Sequence, residues 1–192
     1  MLAAYLLAAA AAVVALRQPS QARRWIAAIL AAMWAWVGIV YQGIYFSRIN
    51  PAAALFAAAF VVQSGLFAID ALRGSALDFR RPRPAPFFVT AVLILYATFL
   101  YPLIGFAVGE EYPATPSFGV TPCPLVIFTF GLLVWGRAPW PLWVIPLLWS
   151  AVGGTASLLL SVPQDVALPL SAVAAVLVRL LDRADRPNAA SP

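Results

Sequence analysis

The sequence contains no histidine and no lysine, so all 12 of its basic residues are arginine. Without lysine a Schiff base cannot form, which excludes retinal and pyridoxal phosphate chemistry. Without histidine there is no imidazole base and no conventional histidine ligand for a metal or haem. The single cysteine, Cys123, cannot form an internal disulfide or a dithiol redox centre. We therefore expect no cofactor, no metal site and no enzymatic activity.

Charge is also scarce. Only 10% of the 192 residues are charged and 64% are hydrophobic, and the mean hydropathy is +0.91. Soluble domains have about 25% charged and about 45–50% apolar residues, so the lipid bilayer is the expected partner for most of this surface. The net charge of +5 does not indicate nucleic-acid binding, because the arginines are dispersed and form no stripe.

Seven apolar segments approach the roughly 20 residues that a helix needs to span a bilayer. Their composition lacks the alternation of barrel strands, so the sequence predicts an all-α, polytopic transmembrane helix bundle. We expect one domain at 1–182 and a short polar tail at 183–192. The first segment has no positively charged leader, so a membrane helix is favoured over the alternative, a cleaved signal peptide. The segments are 2–16, 25–46, 51–72, 86–109, 119–136, 140–161 and 166–181.

The arginines predict the orientation of the bundle. Eleven of the twelve fall in the first, third and fifth connections or near the carboxyl end, and Arg48 alone falls on the other side. Positive residues accumulate on the cytoplasmic side of membrane proteins. The amino terminus is therefore expected outside and the carboxyl terminus in the cytoplasm.

Small residues recur four apart in two of the segments, at Ala27, Ala31 and Ala35 and at Gly153 and Ser157. This spacing favours close helix packing in lipid, and unwinding at Gly153 to bind a ligand is the alternative. Gln63 lies mid-helix and must find a polar partner. Tyr96, Thr98 and Thr129 are candidate partners, and contact with a bound molecule is the alternative role.

Polar residues collect in the second, fourth and sixth connections, which this topology places on the outer face. Two interpretations remain open, an ion-pair network that ties the loops together and a polar vestibule that binds a ligand. In either, Arg48 is expected to organise the face, with Asp165 as its preferred carboxylate partner and Glu110 or Glu111 as the next choice. Cys123 is expected to be a structural thiol. The candidate binding residues are Arg48, Asn50, Gln42, Gln63, Glu110, Glu111, Thr121 and Asp165.

The stretch from Tyr112 to Leu133, with its Pro122-Cys123-Pro124 block, resembles the signature of a bacterial multi-pass membrane family catalogued as domain of unknown function 6064. Two further blocks, 46–53 and 145–165, are similar to that family. The resemblance spans roughly 34–165 and implies a location in the inner (cytoplasmic) membrane. It also implies that relatives extend further before the first helix. It implies no activity.

Three classes of function follow from these observations. The first is binding or transport of a small molecule or ion through the polar site on the outer face. The second is a non-catalytic structural or accessory subunit that packs against a partner membrane protein. The third, an acid–base enzyme, is weakest, because Glu110 and Glu111 are adjacent and do not form a facing pair. The sequence favours the first class.

Overall fold

A computed structural model describes residues 2–74, 76–79, 84–109, 117–160 and 162–184. Of these described residues 84% are helical, and they form seven helices, which confirms the prediction of an all-α helix bundle. The described residues form no strand. The helices are α1 (Leu2–Arg17), α2 (Ala22–Arg48), α3 (Ala53–Leu72), α4 (Pro84–Ala107), α5 (Pro122–Trp135), α6 (Val144–Leu160) and α7 (Ala167–Ala184).

Four helical stretches are long and apolar enough to cross a membrane. They present large apolar side chains outwards, for example Leu55 (71% exposed), Phe88 (68%) and Leu103 (61%). Helices α1 and α5 are apolar but shorter. An outward-facing apolar surface of this kind suits a lipid environment better than water. The four stretches are Ala22–Arg48, Ala53–Leu72, Pro84–Ala107 and Pro163–Asp182.

Helix α5 is the centre of the bundle. Every one of its residues from Pro122 to Trp135 is buried, so it behaves as a core helix that neighbours surround on all sides. Polar contacts fix its position. The Trp34 indole nitrogen donates to the hydroxyl of Thr129 at 3.0 Å, and the hydroxyl of Thr90 donates to the carbonyl of Gly131 at 2.9 Å.

The small residues of α2 serve internal packing. Ala27 and Ala31 are buried where α2 runs beside α3, and the hydroxyl of Ser64 on α3 donates to the carbonyl of Ala31 at 2.7 Å. Gly153 has the same role in α6, because a Cβ there would lie 2.5 Å from Leu168 Cδ2 of α7. Since α6 continues as a helix through Gly153, the packing interpretation is correct and the unwinding alternative is wrong.

Two helices widen where they approach the same end of the bundle. Helix α2 becomes a π-helix over Val37–Tyr45, and α4 does so over Tyr96–Leu100. A π segment shifts the angular positions of the residues that follow it and is frequent at functional sites. Helical periodicity alone does not predict these segments. They determine which polar side chains of α2 and α4 face inwards.

The arginine-rich end is closed by ion pairs. Arg137, which follows α5, has its guanidinium Nε 3.5 Å from Asp182 of α7 and its Nη1 3.9 Å from Asp78. Helix α7 continues to Ala184, two positions into the range 183–192 that was expected to be a polar tail. Positions 185–192 of that tail lie outside the described residues.

Candidate functional site

A cavity of about 420 Å³ lies at the end of the bundle opposite Arg137. It forms where α2 turns into α3, where α5 begins and where α6 turns into α7. The second, fourth and sixth connections were expected to meet at one face, and residues adjoining all three line this cavity. Its polar lining includes Gln42, Asn50, Tyr101, Thr121, Cys123 and Asp165.

Aromatic rings form two of the cavity walls. Tyr41 and Phe46 of α2 stack with ring centroids 5.8 Å apart and an interplanar angle of 19°. The second wall consists of Phe56 of α3 and Trp149 of α6, whose ring centroids lie 5.2 Å apart in an edge-to-face arrangement. All four side chains line the cavity. Ring faces and edges of this kind favour ligands with a flat apolar part.

The carboxylate of Asp165 is held by α4. It accepts a hydrogen bond from the hydroxyl of Tyr101, a residue that is 1% exposed. At the residue before Asp165, the carbonyl of Gln164 accepts a hydrogen bond from the hydroxyl of Tyr96 at 2.8 Å. Both tyrosines lie in or directly after the π segment of α4. The turn between α6 and α7 is therefore attached to α4.

The predicted pair of Arg48 and Asp165 is wrong. Within the described residues Arg48 contacts no carboxylate, and its guanidinium carbon lies 5.9 Å from the ring centroid of Tyr45. Arg48 is exposed and does not line the cavity. The physical reason is desolvation: the partly buried carboxylate of Asp165 accepts from the neutral hydroxyl of Tyr101, which costs less than taking a guanidinium out of water.

Gln42 is the least satisfied polar side chain of the cavity. It is fully buried, with 0% exposure, and it lines the cavity from the π segment of α2. In the described part of the chain neither its amide nitrogen nor its amide oxygen has a hydrogen-bond partner. A buried amide without partners costs about 1–3 kcal/mol, so this side chain is suited to a partner that enters the cavity.

Cys123 and Trp149 lie side by side next to Gln42. A Cβ on Gly153 would lie 3.6 Å from Trp149 Nε1 and 3.8 Å from Cys123 Sγ, so the absence of a side chain at this position leaves both groups facing the cavity. The indole nitrogen of Trp149 points to the thiol of Cys123 but makes no hydrogen bond of good geometry with the described residues. The cavity thus offers a weakly engaged donor besides Gln42.

Asn50 and Thr121 combine a structural role with a place in the lining. The Asn50 carbonyl oxygen Oδ1 accepts from the backbone N–H of Ala52 at 3.0 Å, which fixes the turn before α3. The hydroxyl of Thr121 donates to the carbonyl of Ser117 at 3.2 Å, just before α5. Both residues still line the cavity, so the sequence correctly grouped them with Gln42 and Asp165.

Gln63 lies away from the cavity. Its Nε2 donates to the carbonyl of Leu142 at 3.1 Å, at the opposite end of α6. The expected partners are otherwise engaged: Thr129 binds Trp34, Tyr96 binds the α6–α7 turn, and Thr98 donates to its own helix. Gln63 therefore links helices and does not line this cavity. Glu110 and Glu111 lie outside the described residues, so their roles stay predictions.

Sequence reasoning missed Tyr41, Tyr101 and Trp149 as site residues. Each lies inside an apolar segment, where an aromatic residue is read as ordinary core. A usable signal was present for Tyr101, which lies in the half of α4 that leads to the fourth connection. A tyrosine hydroxyl near the end of a helix that leads to a polar connection needs a hydrogen-bond partner, and the connection is the nearest source of one. Trp149 gave no such signal, because it lies in the first half of α6.

The fold and the cavity define an all-helical protein of seven helices with a polar and aromatic cavity at one end. A family model described as "Family of unknown function (DUF6064)" matches residues 1–190. The chain belongs to this family, as the resemblance indicated. No curated protein and no solved structure matches the chain.

Proposed function

We propose that this chain is an integral protein of the bacterial inner (cytoplasmic) membrane that binds a small molecule in the cavity beside Gln42. The observation that carries the proposal is the fully buried Gln42 amide, which lines the cavity and has no partner among the described residues. Isolated polar groups in a membrane protein are expensive and are usually functional. A ligand that binds this amide recovers the cost.

The orientation is part of the proposal. In the sequence, eleven of the twelve arginines fall in the first, third and fifth connections or near the carboxyl end, and Arg48 alone falls in the other connections. By the positive-inside rule we infer that the cavity opens on the outer face. The amino terminus is then outside and the carboxyl terminus in the cytoplasm. A ligand enters from the outside or from the outer half of the bilayer.

Binding is favoured over an open transport path. The cavity wall at Trp149 continues inwards as packed rings, with Phe60 5.0 Å from Trp149 and 4.5 Å from Trp34. Phe60 and Trp34 are both 0% exposed, so these rings close the floor of the cavity. The proposal assigns the site no catalytic role, because Asp165 is the one carboxylate among its described lining residues.

The alternative function, an accessory subunit, receives less support. A subunit of this kind would be expected to show its small-residue face to a partner. The stripe that begins at Ala27 and Ala31 is instead buried within the chain, where Ser64 of α3 binds Ala31. The packing surface that the sequence offered for a partner is therefore already used.

The test is a thermal-shift screen of the purified protein in nanodiscs against metabolites and ions. A ligand at about 100 times its Kd stabilises the folded state by about 2.7 kcal/mol in the ideal case. Each compound that stabilises the wild type is repeated with Gln42→Met, which keeps the shape of the side chain and removes the amide. The matched control is Gln63→Met, at an equally buried amide outside the cavity.

We expect stabilisation to be lost in Gln42→Met and kept in Gln63→Met. Thr155→Trp provides an independent check, since Thr155 lines the cavity but is exposed, so a large ring there obstructs the cavity without disturbing the core. Stabilisation that survives both Gln42→Met and Thr155→Trp would place the ligand elsewhere and would refute the proposal.

A further inference from the structure

We infer that the cavity recognises an uncharged, planar ligand that carries an amide group, an inference that rests on the binding role proposed above. The starting point is hydrogen-bond complementarity. The Gln42 amide has an unused donor, Nε2, and an unused acceptor, Oε1, within the described residues. A single ligand group that offers an acceptor and a donor side by side satisfies both atoms at once.

Amides, ketones and amidinium groups are all planar, but they differ in the hydrogen-bond donors and acceptors that they present to Gln42. A carboxamide or ring amide presents both an acceptor and a donor. A ketone presents acceptors alone and leaves Oε1 of Gln42 without a donor. An amidinium presents donors alone and leaves Nε2 without an acceptor. A buried group left unpaired opposes binding, so the amide is the favoured partner.

Charge on the lining excludes anions. Asp165 is the one ionisable carboxylate of the described lining, and no arginine belongs to that lining. A ligand carboxylate therefore meets a like charge and no described cation to neutralise it. Carboxylic acids, which would otherwise imitate an amide, are ionised at neutral pH and are rejected for this reason.

The walls account for the planar shape. Tyr41 stacked on Phe46 and Phe56 against Trp149 present ring surfaces to the same space. A flat ring packs against such surfaces with favourable stacked or edge-to-face contacts. The Trp149 N–H has only the thiol of Cys123, a weak acceptor, beside it, so it can donate to a second ligand oxygen.

The experiment uses four small probes of nearly the same shape. Benzamide carries the amide, acetophenone carries only the acceptor, benzamidine carries a positive charge with donors only, and benzoate carries a negative charge. Binding is titrated by ligand-detected NMR with the full-length protein in nanodiscs, and empty nanodiscs correct for partition into lipid. The same titrations are run with Gln42→Met and with the control Gln63→Met.

We expect benzamide to bind the wild type and the Gln63→Met control about tenfold or more tightly than acetophenone, the equivalent of one unpaired buried group. Benzamidine should also bind more weakly than benzamide, by a smaller factor, because the carboxylate of Asp165 attracts its charge. Benzoate should be weakest. In Gln42→Met the advantage of benzamide over acetophenone should disappear. The inference is overturned if benzamidine binds more tightly than benzamide, if benzamide does not bind, or if Gln42→Met leaves its advantage unchanged.

Failure here is distinguishable from failure of the proposed function. If a screened compound of another chemical class stabilises the wild type and requires Gln42, while benzamide does not bind, the ligand class is wrong and the binding role stands. If no compound in the screen or among the four probes depends on Gln42, both are wrong.

Discussion

The hydroxyl of Tyr101 donates a hydrogen bond to the carboxylate of Asp165, which joins α4 to the turn between α6 and α7. These residues are 64 positions apart in the chain, and both line the cavity beside Gln42. The contact positions one wall of the cavity relative to the others. It also explains why Asp165 does not require Arg48 as a partner.

Removal of this hydroxyl should loosen the cavity. We expect Tyr101→Phe to lower the free energy of unfolding by about 1–2 kcal/mol, because the carboxylate of Asp165 loses a donor in a partly buried position. The measurement is unfolding in mixed detergent micelles with increasing denaturing detergent. Tyr45→Phe is the control, since Tyr45 is 63% exposed and removal of its hydroxyl should change stability little. Equal effects in the two variants would contradict the assignment.

Cys123 gives a second prediction. The thiol is 8% exposed and lines the cavity, but the sequence and the fold assign it no chemistry. Serine is slightly smaller and its hydroxyl is a better donor than a thiol. We therefore expect Cys123→Ser to change the free energy of unfolding by no more than about 1 kcal/mol and to retain ligand binding. A folded Cys123→Ser protein that no longer binds would indicate a thiol-dependent function.

The seven helices could be predicted because their signals are local. Proline or arginine lies at the boundaries of the apolar segments, as at Pro84, the first residue of α4, and Pro122, the first residue of α5, and such residues mark helix boundaries. The predicted end of the second helix, position 46, differs from Arg48 by two residues. The π segment Val37–Tyr45 was not predictable, because it depends on packing against α3.

The site was predictable only as far as chain connectivity determines it. Gln42, Asn50, Thr121 and Asp165 were grouped correctly because alternate connections of a helix bundle emerge on the same side. Arg48 was misplaced because opposite charge alone predicts its pairing with Asp165. Moving a guanidinium out of water costs free energy, and the carboxylate of Asp165 accepts from Tyr101 instead. Gln63 was misplaced for a different reason. The sequence shows how far along α3 it lies, but not the rotation of α3 about its axis, which directs the side chain to the carbonyl of Leu142.

The orientation of the bundle is a third prediction. Reporter fusions after Arg81 and after Arg186 should read cytoplasmic, and a fusion after Tyr112 should read external, because the arginines cluster on one side of the predicted spans. Comparison of the reporters in whole cells provides the measurement. Different sides for Arg81 and Arg186 would mean that an odd number of spans lies between them, in conflict with the four helices α4 to α7.

The last prediction concerns the docking of α1, which the sequence left open to the alternative of a cleaved signal peptide. Gly119 precedes α5 with φ +73°, and a Cβ there would lie 2.0 Å from the Cβ of Ala4. Gly109 has a similar φ of +87°, but a Cβ there would meet nothing within 4 Å. Substitution of either glycine by alanine strains the backbone, because both have a positive φ. Only the substitution at Gly119 also brings a Cβ into collision with α1.

We expect Gly109→Ala to cost about 1–2 kcal/mol, the usual penalty of a left-handed conformation. Gly119→Ala should cost a further amount of about 1–3 kcal/mol, because α1 has to move or the loop has to shift. Ala4→Gly should restore part of this loss, since the next nearest atom, the Cα of Ala4, would be 3.4 Å away. A double-mutant cycle of unfolding free energies measures the coupling. Equal costs for Gly119→Ala and Gly109→Ala, with no recovery from Ala4→Gly, would show that α1 does not pack against this loop.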